Sequence, residues 1–141
     1  LKEPIPIYGD GKNIRDWLFV EDHIDALILI AKRGKIGETY CIGGQGEKSN
    51  KEVVLEICKI MDNYFPDNAP HQNLIKYVPD RPGHDKRYSI NSKKIKKKLG
   101  WNPKYTFNDG LEKTVEWYLS NLNWFKKNLN TKQYNLERLG L

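Results

Sequence analysis

The sequence predicts a mixed α/β fold in which helices outnumber a few short strands. Three features predict it. Apolar residues recur at helical spacing across 21–33 and again across 53–61. A Ser49-Asn50-Lys51-Glu52 capping box opens the second of these runs. Short extended pieces, Ile5-Pro6-Ile7-Tyr8 and Ile75-Lys76-Tyr77-Val78, stop at glycine or proline.

Taken in order, Ile5 to Tyr8 is an extended piece closed by the turn Gly9-Asp10-Gly11. Residues 14–20 form a second apolar stretch with the charged pair Arg15-Asp16 inside it. From Glu21 to Arg33, Ile24, Leu27, Ile28 and Ala31 share one face, while Leu29 and Ile30 add apolar surface on other sides. A well-buried helix is expected, with acids Glu21 and Asp22 first and bases Lys32 and Arg33 last, as its dipole favours. Residues 38–42 read as a strand ended by Gly43-Gly44. The capped helix then runs to about Tyr64 with Val53, Val54, Ile57, Cys58 and Met61 on one face, and residues 65–70 are a loop. Strands follow at 75–78 and 87–90. Asn91 or Ser92 caps a short helix stopped by Leu99-Gly100, after which Trp101 packs. Asn108 or Asp109 starts the last helix, with Leu111, Val115, Tyr118, Leu119 and Leu122 inward. The expected domain is 1–125, with 126–141 a weakly packed tail.

The bulk numbers agree with one compact domain of 141 residues. No apolar run approaches the ~20 residues of a membrane span, and the start, Leu1-Lys2-Glu3-Pro4, lacks a basic-then-apolar leader pattern. The absent initiator Met suggests a piece of something longer. Cys41 and Cys58 have no metal-ligand spacing, so reduced, buried thiols in a cytoplasmic protein are expected and no metal residue is assigned. The net charge of +6 suits an anionic ligand or nucleic acid. Its densest run, Lys93, Lys94, Lys96, Lys97 and Lys98, leaves Ile95 and Leu99 as a buried side and is read as a solvated helix face, because exposed aromatics do not interleave with it. No nucleic acid and no membrane are therefore expected as partners.

The richest segment is Asp80-Arg81-Pro82-Gly83-His84-Asp85-Lys86-Arg87-Tyr88. Pro82 fixes its own φ and Gly83 can take a positive one, so a sharp rigid bend can aim several polar groups at one point. A guanidinium matches two phosphate or carboxylate oxygens at once. An anion-recognition loop is one reading, and a surface turn with ordinary ion pairs is the other. Arg15 is either ion-paired with Asp16 or a second fork aimed at the same anion. Asn50 either offers its amide to a ligand or is a polar first-turn residue. Gly43-Gly44-Gln45-Gly46 meets neither phosphate-binding glycine pattern and reads as a plain turn. His23 reads as structural, His71 is uninformative, and His84 is the candidate ligand contact. No catalytic set assembles. The residues by themselves reach a small α/β module that binds a compact anion.

Longer motifs add a resemblance. Residues 6–23, containing Ile14-Arg15-Asp16-Trp17, resemble the start of the C-terminal region of the dTDP-glucose 4,6-dehydratases, extended short-chain dehydrogenases/reductases of nucleotide-sugar metabolism. Gly37 to Gly44, Glu47-Lys48-Ser49-Asn50, Asp80 to Tyr88, Leu99-Gly100-Trp101-Asn102-Pro103 and Gly110 to Leu119 follow in that family's order. Cys41 departs from the Asn common there. The resemblance implies the substrate-binding C-terminal region of such an enzyme. It implies that Pro6, Ile7 and Tyr8 line a dTDP-sugar, that Arg15 and Arg81 face its diphosphate and nucleotide, and that Asn50, Pro82, Gly83, His84 and Asp85 complete the pocket. It further implies an NAD-dependent carbon–oxygen lyase, a homodimer, whose NAD loop, catalytic Tyr and Lys and acidic pair belong to an N-terminal part. No catalytic or cofactor-binding residue is therefore assigned in this chain.

Overall fold

The computed structural model describes residues 3–129. Strand β1 (Ile5–Tyr8) runs parallel to β4 (Ile75–Val78), with Ile5 opposite Ile75 and Tyr8 opposite Val78. Strand β2 (Ile14–Asp16) is antiparallel to β3 (Glu47–Ser49). Helix α1 (Val20–Arg33) follows β2, α2 (Asn50–Tyr64) follows β3, and α3 (Lys93–Leu99), α4 (Phe107–Ser120) and α5 (Leu122–Leu129) close the order. The fold is mixed α/β with short strands, as expected. A parallel pair needs a long crossover, and here α2 and two 3-10 turns lie within it.

Helix α2 starts where its capping box predicts. The Ser49 hydroxyl accepts from the Glu52 N–H at 3.2 Å, and the Glu52 carboxylate accepts from the Ser49 N–H at 2.7 Å. Helix α4 starts earlier than expected: Thr106 is its N-cap, and Asp109 closes the box from the third position instead of capping. Aspartate stands there where the usual box has glutamate or glutamine, so the pattern is weaker in the sequence. Val115 is buried as expected, whereas Tyr118 and Leu122 are exposed. Helix α5 continues across the expected 125/126 boundary, and the rest of the expected tail, from 130 on, lies outside the described residues.

The core gathers Ala26, Ile95, Leu99 and Trp101, with Leu18, Leu29, Ile30, Tyr40 and Ile42 packed against it. This corrects the expected face of α1. Ile24, Leu27 and Ile28 are 46%, 49% and 47% exposed, and His23 is exposed rather than structural. The helix is apolar around most of its girth, so spacing alone left the inward side open. Asp22 decides it: its buried carboxylate accepts the Lys104 N–H at 2.9 Å and the Tyr105 N–H at 3.1 Å, which turns Asp22 and Ala26 inward together.

Two expected strands are not formed. Residues 38–42 have no described strand beside them, and a backbone without a pairing edge does not become a strand. Lys94 holds this segment instead, donating to the Thr39 carbonyl at 2.7 Å with its ammonium 5.0 Å from the Tyr40 ring. Of residues 87–90, only Arg87 makes a bridge, to Ile14.

The thiols also separate: Cys58 is buried, but Cys41 is exposed, contrary to expectation. Burial, then the charge of Asp62, pushes the Cys58 thiol above its ordinary range. A disulfide reagent is therefore expected to modify Cys41 in the native protein and to reach Cys58 only on unfolding. Mass spectrometry of the modified thiols checks this, and equal labelling would contradict the burial.

Candidate functional site

Parallel strands deliver their C-terminal ends to the same edge, and loops at such an edge are where α/β folds bind ligands. Here that edge carries the turn after β1 and the loop after β4. The Gly9 N–H donates to the Val78 carbonyl at 2.9 Å, joining the two. Gly9 has φ +57, and a Cβ on it would lie 2.9 Å from Asp80 Oδ2. Gly11 has φ +72, and a Cβ there would lie 2.7 Å from Ile7 Cγ2. Both positions demand glycine on conformation and on space.

The 80–88 loop is held from several sides. Asp80 Oδ1 accepts the Arg81 N–H at 2.9 Å and lies 2.7 Å from His84 Nδ1. Gly83 supplies the bend between them with φ +69. The Asp85 carbonyl accepts from two side chains, Arg15 Nη2 at 3.0 Å and Asn13 Nδ2 at 3.2 Å. Arg15 Nη1 donates to the Ile14 carbonyl at 2.7 Å, and its guanidinium lies 4.5 Å over the Tyr88 ring. The Tyr88 hydroxyl in turn donates to the Asp85 carboxylate. Main-chain bonds finish the frame: Ile14 N–H to Lys86 carbonyl at 2.9 Å and Tyr88 N–H to Ile14 carbonyl at 3.0 Å. At the loop's exit the Glu47 carboxylate accepts from two Arg87 nitrogens, Nε at 3.0 Å and Nη2 at 2.8 Å.

The first turn of α2 joins the same frame. Asn50 N–H donates to the Asn13 carbonyl and Lys51 N–H to the Gly11 carbonyl, both at 3.0 Å. Buried Asn13 thus links the β1 turn, the α2 N-terminus and the 80–88 loop.

Charge follows this geometry. The His84 hydrogen bond, then the Arg81 N–H, holds the Asp80 carboxyl below the usual carboxylate range. The bond to Asp85 and that carboxylate's charge push the Tyr88 phenol up, while the cations Arg15 and Arg81 both pull it back.

Tyr8, Arg15, His84 and Asp85 come together, with Asn50 reached through Asn13. Tyr8 meets the His84 ring edge-on at 6.5 Å. Pro6 is exposed, but the Ile7 side chain is only 3% exposed and belongs to the interior beneath the turn. Arg81, Pro82 and Gly83 lie at the exposed tip. Among the described residues the Arg81 guanidinium makes no hydrogen bond or ion pair. Arg15 does not pair with Asp16, whose Oδ1 instead accepts the Gly46 N–H at 3.0 Å. His84, the candidate ligand contact, has a 5% exposed side chain with Nδ1 committed to Asp80. Sequence reasoning did not single out Asn13, Asp80 or Tyr88. The last two sit inside the flagged segment, whereas nothing local marks Asn13.

Neighbouring features do different work. A hollow of about 360 Å³ lies beside β2 and β3, lined by Lys12, Ile14, Glu47, Lys48, Ser49 and Glu52, and shares no residue with the expected set. The glycine-rich turn at 43–46 does not fit a cofactor pyrophosphate: a Cβ on Gly44 would lie 2.3 Å from the Trp17 carbonyl oxygen, and one on Gly43 would lie 2.5 Å from Asp16 Oδ2. Close packing against the protein's own residues 16 and 17 accounts for these glycines. Among the described residues, no cluster of His, Cys, Asp or Glu could hold a metal ion. His71, uninformative in sequence, is tied by Nδ1 and its N–H to Asp62 at 2.5 and 2.7 Å, and it anchors the turn ahead of β4.

Comparison with known proteins places the chain among relatives. The profile described as GDP-mannose 4,6 dehydratase matches residues 1–114. A dTDP-glucose 4,6-dehydratase of Xanthomonas campestris is 50% identical over 98% of this chain and 40% of its own length. The crystal structure of a dTDP-glucose 4,6-dehydratase from Bacillus anthracis in complex with NAD has a TM-score of 0.76 at 46% identity, over 89% of this chain and 37% of that one. A UDP-glucose 4-epimerase from Thermotoga maritima, solved with UDP-glucose, has a TM-score of 0.73 at 30% identity, over 86% and 36%. The chain thus spans about two fifths of the length of the relatives it matches.

Proposed function

The chain belongs to the GDP-mannose 4,6 dehydratase family, and on that premise we propose that it is the nucleotide-sugar-binding C-terminal part of a dTDP-glucose 4,6-dehydratase. The observation that carries the proposal is the Arg81 guanidinium. Among the described residues it has no hydrogen-bond or ion-pair partner, and it stands at the tip of a braced turn, on the edge where Tyr8 and Arg15 also lie. A diphosphate is costly to strip of water unless its charge is met, and a guanidinium carried on a braced main-chain turn can meet it.

In this reading Arg81 grips the diphosphate, and Tyr8, Pro82 and Asp85 border the nucleotide sugar. Arg15 keeps the loop in place with two of its five N–H groups and offers the ligand its charge. NAD supplies hydride transfer to the parent lyase, which converts dTDP-glucose to dTDP-4-keto-6-deoxyglucose. Its site and the catalytic residues lie in the N-terminal part of that enzyme, a cytoplasmic homodimer. The exposed Ile24, Leu27 and Ile28 face offers that part a surface to cover. The 141-residue chain by itself is expected to be inactive.

Titrating the chain with dTDP, UDP and a short oligonucleotide, followed by calorimetry, tests the proposal. Saturable binding of dTDP is the expected result. Oligonucleotide binding with a steep salt dependence, and none of dTDP, would replace it with a basic nucleic-acid module working through α3.

A further inference from the structure

Asp80 was not among the expected contacts, yet the loop is organised around it. One oxygen of its carboxylate accepts the Arg81 N–H and faces His84 Nδ1, so it closes the bend from both sides of Pro82 and Gly83. The other oxygen rests on Gly9, where a Cβ would come within 2.9 Å. His84 is buried edge-on against Tyr8, the last residue of β1. The carboxylate thus fastens the loop to itself and to the neighbouring turn. A negative charge beside an anion site works against binding, so its contribution has to be geometric.

We propose that Asp80 is a positioning residue of this site, bracing the Arg81 turn against β1 through His84 and so aiming a guanidinium that its own side chain does not touch. The inference rests on Arg81 meeting the ligand's diphosphate. A carboxylate facing Nδ1 selects the Nδ1–H form of a neutral imidazole, against the Nε2–H form favoured by an unconstrained one.

A double-mutant cycle on dTDP binding by the chain tests the brace, with circular dichroism confirming that each variant is folded. Asp80→Ala is expected to weaken binding about tenfold in the wild-type background, in the range of coupling between residues of one network, and to cost nothing further in Arg81→Ala. Asp80→Asn keeps the size and one acceptor oxygen, and is expected to recover most of the loss. Long-range nitrogen–proton NMR is expected to find His84 protonated on Nδ1 in the wild type and on Nε2 in Asp80→Ala. Additive losses in the cycle, no recovery in Asp80→Asn, or an Nε2–H ring in the wild type would each overturn the brace. If Arg81→Ala leaves dTDP binding unchanged, it is the nucleotide-sugar reading that fails. The His84 ring form and amide exchange at Arg81 then decide the brace without ligand.

Discussion

Arg81→Ala is expected to weaken dTDP binding by about 10- to 150-fold, the equivalent of the ~1.5–3 kcal/mol that hydrogen bonds to a charged group contribute. The stability of the protein should stay within ~0.5 kcal/mol of wild type, because the guanidinium is exposed and bonds to no other described residue. This separation makes the substitution informative. A residue that served the fold would lower the melting temperature, while Arg81 should lower affinity alone. Arg81→Lys restores the charge but not the planar fork, and should recover only part of the loss. Arg15→Ala should behave differently, because Arg15 also ties the Asp85 and Ile14 carbonyls, so affinity and melting temperature should fall together. Calorimetry beside thermal melts of the three variants reads both quantities. A melting temperature that drops in Arg81→Ala would count against its assignment as a ligand group.

The second large effect belongs to Asp22. Its carboxylate is 1% exposed and accepts two backbone N–H groups, from Lys104 and Tyr105, where the chain turns into α4. Replacing it with alanine leaves both donors unpaired and removes two charge-assisted bonds, at a cost of ~3–5 kcal/mol. For a chain of 141 residues that corresponds to a fall of roughly 10–15 °C in melting temperature. Asp22→Asn keeps one acceptor oxygen but sets an NH2 against the other donor, and should fall between. Melting followed by circular dichroism reads the series. An alanine variant as stable as wild type would remove Asp22 from its role in orienting α1.

Local signals made much of this fold legible. The Ser49–Glu52 box set the start of α2, and Gly100, with φ +74, stopped α3. The alternation of apolar runs and glycine turns placed β1 and β4. What was not legible depends on partners distant in sequence. The inward face of α1 is chosen by amides 82 and 83 residues away, and residues 38–42 have strand chemistry without a neighbouring edge. At the site, the motif around Arg81 was visible because it is contiguous. The division of labour within it was not. His84 and Arg15 look like ligand groups by type, but the structure commits His84 Nδ1 to Asp80 and two Arg15 donors to main-chain carbonyls, and only the fold reveals that Asn13 joins in.

The Asp85 carbonyl, shared by Asn13 and Arg15, fastens the loop through its main chain. That main-chain anchor does not depend on the side chain at position 85, which separately accepts the Tyr88 hydroxyl. In the proposed reading, substitution at the outward-facing positions of this rim would therefore change ligand preference while the scaffold beneath stays unchanged.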